Sequence, residues 1–277
     1  FADQIKWINK RYEILDPLDL LKIEKKIRNN YTKKALITFD DGSISVLNNA
    51  APILRKLGLR ALFFLNMKPI EGGQFWAGKI KYLLKNDYEF NKLMQKKYSH
   101  KKNIFLHINH EDLKNVSQEI LEGGFNNKLN NYYGNFANVN QLKENSDVFV
   151  YGSHLYDHYN AATLRENDLK IQIEKNKNSL LKINGYYQLF SYPFGQPDTC
   201  FNELTNKILI ESGVKKIFYS SGGSNLSLEN ISLNRITPEE YYYFGYMRYL
   251  ISINLVKSFK KSFFYKFFKF IKNSKNN

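Results

Sequence analysis

Short apolar runs of β-type residues alternate with segments of helical periodicity through most of this 277-residue chain. Six runs indicate strands, at 35–39, 62–65, 148–151, 187–192, 216–219 and 231–236. Between them, apolar residues recur at three- and four-residue spacing over 46–57, 164–181 and 204–210, which predicts helices. The alternation predicts an α/β fold with a parallel sheet and helical crossovers, and six or more strands allow the sheet to close into a barrel.

The alternation breaks over residues 70–137, where Asn, Lys and Tyr are common. We interpret this segment as an insertion after the second strand, lying over one end of the core, with helix-like stretches at 80–94 and 112–121. Because α/β barrels often reach this size as one domain, residues 1–250 are predicted to form a single catalytic domain that contains the insertion.

The tail at 251–277 has a different pattern, with lysines beside apolar residues at helical spacing: Val256, Phe259, Phe263, Phe267 and Phe270. This pattern predicts a basic amphipathic C-terminal helix. Two interpretations stay open. The helix binds an anionic membrane surface through its aromatic residues, or it packs its phenylalanine stripe against the domain.

The formal charge of +15 also has two interpretations. A basic protein attracts polyanions such as phosphate backbones, anionic lipids and acidic glycans. Lysines spread along a chain also serve simply to solvate its surface. Since the sequence shows no recognition helix and no aromatic RNA-binding strand pattern, we expect no nucleic acid partner.

A single cysteine, Cys200, excludes an intrachain disulfide framework and a zinc cluster built from cysteines. No apolar run reaches the length of about 18 residues that a membrane-spanning helix needs. The chain opens at Phe1, so an upstream leader or anchor could have been removed. We expect a cytoplasmic or peripheral membrane location, or an extracytoplasmic one if a leader was removed.

Polar signatures follow three of the predicted strands. They are Thr-Phe-Asp-Asp-Gly at 38–42, two histidines spaced H-x-x-x-H at 154 and 158, and Tyr-Pro-Phe-Gly at 192–195. In β/α architectures the carboxyl ends of the strands converge on the active site. These signatures can therefore meet at one rim of one sheet.

Adjacent aspartates at a strand end point in different directions, so one can bind a cation while the other acts as a base. Because His154 and His158 lie four apart, their side chains face the same way on a helical or tightly turned segment. Two imidazoles and the Asp41 carboxylate form a three-ligand set for a divalent metal, with open positions for water and substrate. Each motif alone has a simpler interpretation, since Asp-Asp-Gly is typical of a turn and paired histidines arise by chance.

The third signature is a Pro-aromatic-Gly turn after a strand. Such a turn can present the backbone N–H of Phe194 to a developing oxyanion. It is also a common strand-to-helix connection without catalytic function.

With these signatures in this order, the chain resembles the polysaccharide deacetylases of carbohydrate esterase family 4. The resemblance covers roughly residues 34–236 outside the insertion, and Gly-Ser-His-Leu-Tyr-Asp-His at 152–158 is also similar to family members. It implies a distorted (β/α)7 barrel that removes acyl groups, usually acetyl, from amino sugars in glycans. The cofactor it implies is zinc or a similar divalent ion such as cobalt, nickel or manganese. The implied site residues are the base Asp40, the metal ligands Asp41, His154 and His158, the oxyanion donor Phe194, and the substrate contacts Tyr192, Pro193 and Gly195.

The chain departs from the family pattern at two positions. Ser191 stands where many members have an arginine that orients the base, and residues 233–236 lack the histidine of a late Leu-x-x-His. Arg235 is a candidate for orienting Asp40 or for binding a sugar hydroxyl or carboxylate. The general acid stays unassigned, with His100, His107 and His110 of the insertion as the remaining histidines.

Two hypotheses follow from the motifs and their departures. In the first, the protein is a metal-dependent hydrolase that removes N-acetyl, or alternatively N-formyl, from an amino sugar of a glycan or glycan precursor. In the second, it is a catalytically impaired carbohydrate-binding protein that retains the metal site.

Overall fold

The structure, a computed structural model, describes residues 1–22, 33–73, 75–99, 104–108, 135–225 and 227–237. Two short strands, β1 (Glu13–Ile14) and β2 (Lys34–Ala35), pair in parallel beside the main sheet. The main sheet contains β3 (Thr38–Phe39), β4 (Ala61–Leu65), β5 (Phe149–Ser153), β6 (Tyr186–Ser191), β7 (Lys216–Tyr219) and β8 (Ser232–Asn234).

Each strand of the main sheet pairs in parallel with the next strand in the chain. A parallel sheet whose strands follow chain order, with helical crossovers, is the arrangement of a β/α barrel. Here the sheet curls into an open barrel that begins at β3 and ends at β8. The predicted α/β class and distorted barrel are therefore confirmed.

Nine α-helices lie in the described residues: α1 (Ala2–Asn9), α2 (Asp19–Lys22), α3 (Ala51–Lys56), α4 (Met67–Ile70), α5 (Trp76–Asn86), α6 (Tyr88–Lys97), α7 (Val139–Glu144), α8 (Glu166–Leu180) and α9 (Glu203–Glu211). A π-helical turn at Val46–Ala50 precedes α3, and 3-10 turns lie at Ile104–Leu106 and Ala161–Thr163. None of the helices described is long and apolar enough to cross a membrane.

The structure divides two segments that the sequence presents as continuous. The predicted strand at 35–39 is split, because Lys34–Ala35 pairs with β1 whereas Thr38–Phe39 pairs with β4. The helical stretch at 80–94 spans α5 and α6, which part at Asp87, whose side chain accepts a hydrogen bond from the Phe90 N–H and caps α6. The predicted helices at 112–121 and in the 251–277 tail lie outside the described residues, so the membrane-surface role of the tail stays a prediction.

Alternation along the strands separates an inner core from two outer cores. The interior of the barrel is filled by Leu15, Leu20, Leu62, Phe64, Val150, Leu189, Phe218 and Leu233. On the outer face, Phe63 and Leu65 of β4 pack in the core that contains residues of α3 and α7, while Phe190 packs in the core with residues of α8 and α9. Because side chains alternate with period two, the interior series continues at the carboxyl rim to Thr38, Asp40, Asn66, His154, Ser191 and Arg235.

Gly152 of β5 leaves no room for a side chain between β4 and β6. A Cβ at this position would be 2.7 Å from Phe64 Cδ1 and 2.8 Å from the backbone oxygen of Leu189. Because the backbone of β6 cannot move aside cheaply, Gly152→Ala is expected to lower the free energy of unfolding by about 2–3 kcal/mol, measured by urea denaturation.

The control for this variant is Gly58→Ala. Gly58 has φ +64 but nothing within 4 Å of an added Cβ. Its substitution should cost about 1 kcal/mol from the backbone conformation alone. Equal losses in the two variants would contradict the close approach at Gly152.

Candidate metal and catalytic site

The turn after β3 directs two carboxylates to different partners. Asp41 has φ 75 and Gly42 has φ 89, and the Gly42 N–H donates to the Asp40 carbonyl at 3.0 Å. The positive φ of Gly42 favours glycine there, and a Cβ would lie 2.7 Å from Ile70 Cδ1, so the Ile70 side chain would have to shift. As predicted for adjacent aspartates, Asp40 reaches toward Arg235 while Asp41 reaches the histidines.

His154 and His158 bring their rings together beside Asp41. His154 follows β5 and donates its backbone N–H to the Leu65 carbonyl at 3.0 Å. Leu155 and His158 have φ 58 and φ 57, so the segment is a tight turn rather than a helix. The two rings lie 4.9 Å apart, and their Nε2 atoms are 3.5 Å (His154) and 3.2 Å (His158) from Asp41 Oδ1.

The donor set at this point fits a cation. His154 Nδ1 lies 2.8 Å from the Ser191 carbonyl, an acceptor that requires a proton on Nδ1. In the neutral ring, Nε2 then carries a lone pair that faces the Asp41 carboxylate, whose Oδ1 is buried without a hydrogen-bond partner among the described residues. Two facing lone pairs are stabilised by a positive ion between them. The three ligand atoms lie within 4.8 Å of one another, as one divalent metal requires.

The ionisation of the ligands agrees with this assignment. Burial acts to raise the pKa of Asp41, but His158, His154 and Arg235 outweigh burial and hold that pKa at about 2. Burial lowers the pKa of His154 below its ordinary value, against the opposing charges of Asp40 and Asp41. An ionised carboxylate and a neutral imidazole are the forms that bind a divalent metal.

Asp40 is held by Arg235 from the opposite edge of the sheet. Arg235 Nη1 donates to Asp40 Oδ1 at 2.7 Å and Nη2 donates to Oδ2 at 2.8 Å. The same guanidinium donates to Thr38 Oγ1 at 3.2 Å and to Ser191 Oγ at 2.7 Å, and it lies over the Phe64 ring. Arg235 therefore contacts both carboxylate oxygens of Asp40 and joins the residues after β8 to those around β3. Ser191 takes part as the acceptor that holds Arg235.

The turn after β6 carries Phe194, whose ring lies next to His158 and whose backbone N–H has no acceptor among the described residues. Phe194 has φ 63 and Gly195 has φ 65, and the Ser220 N–H donates to the Gly195 carbonyl at 2.7 Å. Among the described residues no acceptor takes the Phe194 N–H. The Phe194 ring lies 5.0 Å from the His158 ring, and its side chain is partly exposed. This N–H thus has no acceptor among the described residues, and its residue packs beside one member of the three-ligand set.

The structure corrects the predicted substrate contact of Tyr192. Its side chain is fully buried, stacks on Phe201 at 4.3 Å and donates its hydroxyl to Asn206 Oδ1 at 2.9 Å. Strand alternation causes this placement, because Ser191 occupies the interior face and Tyr192 must turn outward. Pro193 and Gly195 are buried on either side of Phe194.

An aromatic wall, formed by Phe75, Trp76 and Phe136 of the segment predicted as an insertion, flanks the histidines. Phe75 lies 5.4 Å from the His158 ring and 5.2 Å from the Phe136 ring. Trp76 Nε1 donates to the Asp157 carbonyl at 2.7 Å, which ties α5 to the histidine turn. Sequence reasoning missed these residues because no periodic pattern marks them. The one local signal is the adjacent aromatic pair Phe75-Trp76, which follows the glycines at 72 and 73 after one intervening residue.

Asp157, between the two histidines, clamps their turn to the scaffold. Its carboxylate forms an ion pair with Lys68 and accepts from Gln172 Nε2 at 2.7 Å, while its N–H donates to Gln172 Oε1 at 2.8 Å. Because α4 and α8 both hold this residue, the turn that carries the two histidines is attached to the scaffold at Asp157.

The histidines of the insertion divide between described and undescribed segments. His107 follows the 3-10 turn at Ile104–Leu106, where the Leu106 carbonyl accepts from Asn160 Nδ2 at 2.6 Å. This contact places the His107 segment beside the chain that leaves His158. His100 and His110 lie outside the described residues.

Comparisons with known proteins agree with the fold and the motifs. A de-N-acetylase from Aggregatibacter actinomycetemcomitans superposes with a TM-score of 0.58 at 14% identity, covering 90% of this chain and 89% of that chain. The Streptococcus pyogenes deacetylase PplD, solved in complex with acetate, gives 0.56 at 17% identity over 85% and 78% of the two chains. IcaB from Ammonifex degensii gives 0.54 at 18% identity over 86% and 82%. At these identities the likeness is one of fold.

Among curated protein sequences none matches the chain. The sequence profile described as polysaccharide deacetylase, in contrast, matches residues 28–217, more than half of the chain. By this match the chain belongs to the polysaccharide deacetylase family, carbohydrate esterase family 4, in which metal-dependent hydrolysis of N-acetyl amide bonds in polysaccharides is the general activity.

Proposed function

We propose that this protein removes an N-acyl group from an amino sugar of a glycan or glycan precursor, and that the acyl group is acetyl. One observation carries the proposal. The Asp40 carboxylate lies 4.0 Å from His154 Nε2, next to the three-ligand set, yet Arg235 holds it apart from that set. A carboxylate beside a metal site, oriented but not used as a ligand, is placed to act as a general base.

Asp41, His154 and His158 would hold the divalent metal, and zinc suits a set of two imidazoles and one carboxylate. A cation there supplies Lewis acidity to the acyl oxygen and lowers the pKa of water. The chain's own residues perform the remaining steps. Asp40 takes the proton of the attacking water, and Arg235 keeps its two oxygens aligned during the transfer.

Phe194 supports the proposal as an oxyanion donor. Its backbone N–H is fixed by the turn at 193–195 and faces no acceptor among the described residues. A donor fixed in advance stabilises the charge that develops on the acyl oxygen. The aromatic wall of Phe75, Trp76 and Phe136 offers apolar surface next to the metal ligands, suited to the C–H face of a sugar.

A second candidate function is a catalytically impaired carbohydrate-binding protein that retains the metal site. The observation that favours it is that an arginine, Arg235, and not a histidine follows β8. Arg235 is committed to Asp40, Thr38 and Ser191, and a guanidinium does not give up a proton at neutral pH. The leaving amine must then take its proton from Asp40 or from a histidine of the insertion.

The two candidates differ in acetate release. We expect zinc- or cobalt-loaded protein to release acetate from oligomers of N-acetylglucosamine, and a chelator to abolish the release. His158→Ala should bind zinc at least about 10-fold more weakly, because it leaves two protein ligands. Zinc and oligosaccharide binding without acetate release would favour the second candidate. A wild-type protein that binds no divalent metal would contradict both.

A further inference from the structure

Asn66 is a buried side chain whose polar atoms have no partner. It follows β4 directly and has 0% exposure. Neither Oδ1 nor Nδ2 makes a hydrogen bond with any residue that the structure describes. Buried carboxamides are normally paired, because leaving both groups unpaired costs free energy of folding. The free energy of folding that is lost at Asn66 suggests that its carboxamide has a functional role.

The position of Asn66 is that of a site residue. Its strand lies between β3, which carries Asp40 and Asp41, and β5, which carries His154. Leu62 and Phe64 of the same strand belong to the interior core, so the period of two places Asn66 on the interior side, at the rim. The interior-facing residues at the other strand ends each have at least one hydrogen-bond partner described above, and they are Asp40, His154, Ser191 and Arg235.

The backbone around Asn66 is rigidly held, so its lack of partners does not come from a loose loop. Asn176 on α8 accepts a hydrogen bond from the Met67 N–H at 2.9 Å. The same side chain donates to the Leu65 carbonyl at 2.8 Å and to Ser153 Oγ at 2.8 Å. The peptides on both sides of Asn66 are thus fixed by a second buried asparagine that is fully paired.

We propose that Asn66 is a ligand-binding residue of the rim, whose carboxamide hydrogen-bonds a small oxygen ligand that enters with the occupant of the site. The proposal rests on the proposed function for the identity of that occupant. A carboxamide offers one donor group and one acceptor, which match water or a carboxylate oxygen. Because Asn66 has no contact with bulk solvent, the ligand is small. Its two sources are a water held by the cation and the carboxylate of the acetate product.

The test compares Asn66→Leu with Asn176→Leu. Both asparagines are buried, and Asn176 hydrogen-bonds the peptides on both sides of Asn66. In metal-free protein, Asn66→Leu should leave the melting temperature unchanged or raise it, because an unpaired polar group is replaced by an apolar one. Asn176→Leu should lower the melting temperature, since it removes three hydrogen bonds. Asn66→Ala gives a second measurement if leucine does not fit.

Ligand affinity is then measured in the folded variants. Zinc affinity is measured by competition with a chromogenic chelator, and acetate affinity by titration of the zinc-loaded protein. We expect Asn66→Leu to weaken at least one of these two affinities by about 10-fold or more. A loss for zinc assigns the partner to water of the cation, and a loss for acetate alone assigns it to the acyl oxygen. A melting temperature that falls as in Asn176→Leu, or unchanged affinity for both probes, would overturn the proposal.

The measurements also separate this inference from the proposed function. Both affinities are binding constants, so they are informative even if the wild-type protein releases no acetate from glycans. If the wild-type protein released no acetate, the deacetylase proposal would be wrong, but the comparison of zinc affinity between the wild type and Asn66→Leu would still test the role of Asn66.

Discussion

Replacing Asp40 with asparagine is expected to lower acetate release by about 10³-fold while the protein keeps its divalent metal. A general base contributes roughly 10²–10⁴-fold to rate, and asparagine has nearly the same shape but cannot accept the proton. The metal should stay because the residues proposed to hold it are Asp41, His154 and His158. The measurement pairs acetate release with metal content determined on the same sample.

A surface aspartate provides the control for this variant. Asp147 also forms a two-point contact with an arginine, Arg55, at 2.7 and 2.9 Å, but its side chain is 55% exposed and remote from the rim. Asp147→Asn should retain full activity. If Asp40→Asn kept more than about a tenth of the wild-type rate, Asp40 would not be the base.

Arg235→Ala is expected to reduce kcat by about 10²-fold with a smaller effect on KM. Without the guanidinium, the Asp40 carboxylate loses both hydrogen bonds that orient it, and misplacing a catalytic group by about 1 Å costs a factor of this size. The variant should also lose about 2 kcal/mol of stability. That figure is below the range for a fully buried pair because the Asp40 side chain is 30% exposed.

Two further variants sharpen the interpretation. Arg235→Lys should recover little activity, since an ammonium cannot make the two-point contact with Asp40 and reach Ser191 as well. Arg55→Ala removes the same two-point geometry at the exposed surface pair with Asp147, and it should cost less than about 1 kcal/mol with normal turnover. Normal turnover in Arg235→Ala would show that Arg235 does not position the base.

Strand ends were the part of this site that the sequence could predict. Strand β7 lies at the predicted residues, and Asp41, His154 and His158 meet as their strand ends require. Arg235 was a candidate to orient Asp40, and its guanidinium does contact that carboxylate. Its catalytic role stays a prediction. The departure at Ser191 has a physical reason, because the serine accepts a hydrogen bond from an arginine delivered by another strand.

Contacts between distant segments could not be predicted from local pattern. The split of the first strand depends on pairing with β1, a two-residue strand that no run marks. Trp76 meets the histidine turn across 81 positions of sequence, and Asn66 is distinguished by what surrounds it rather than by its type. The Tyr192 prediction failed for a reason that the sequence did contain, since Leu189 and Ser191 already occupy the interior face of β6.

The filled interior of the barrel has a consequence for how a polymer approaches it. In the part of the chain that the structure describes, leucine, valine and phenylalanine side chains pack the space below the rim. These side chains occupy the space through which a glycan strand would have to pass to thread along the barrel axis. A glycan substrate, as proposed, would therefore lie across the rim at the carboxyl ends of the strands. One sugar would point toward Asp40, and the neighbouring sugars would extend on both sides. That geometry suits sugars within a long chain as well as those at its end.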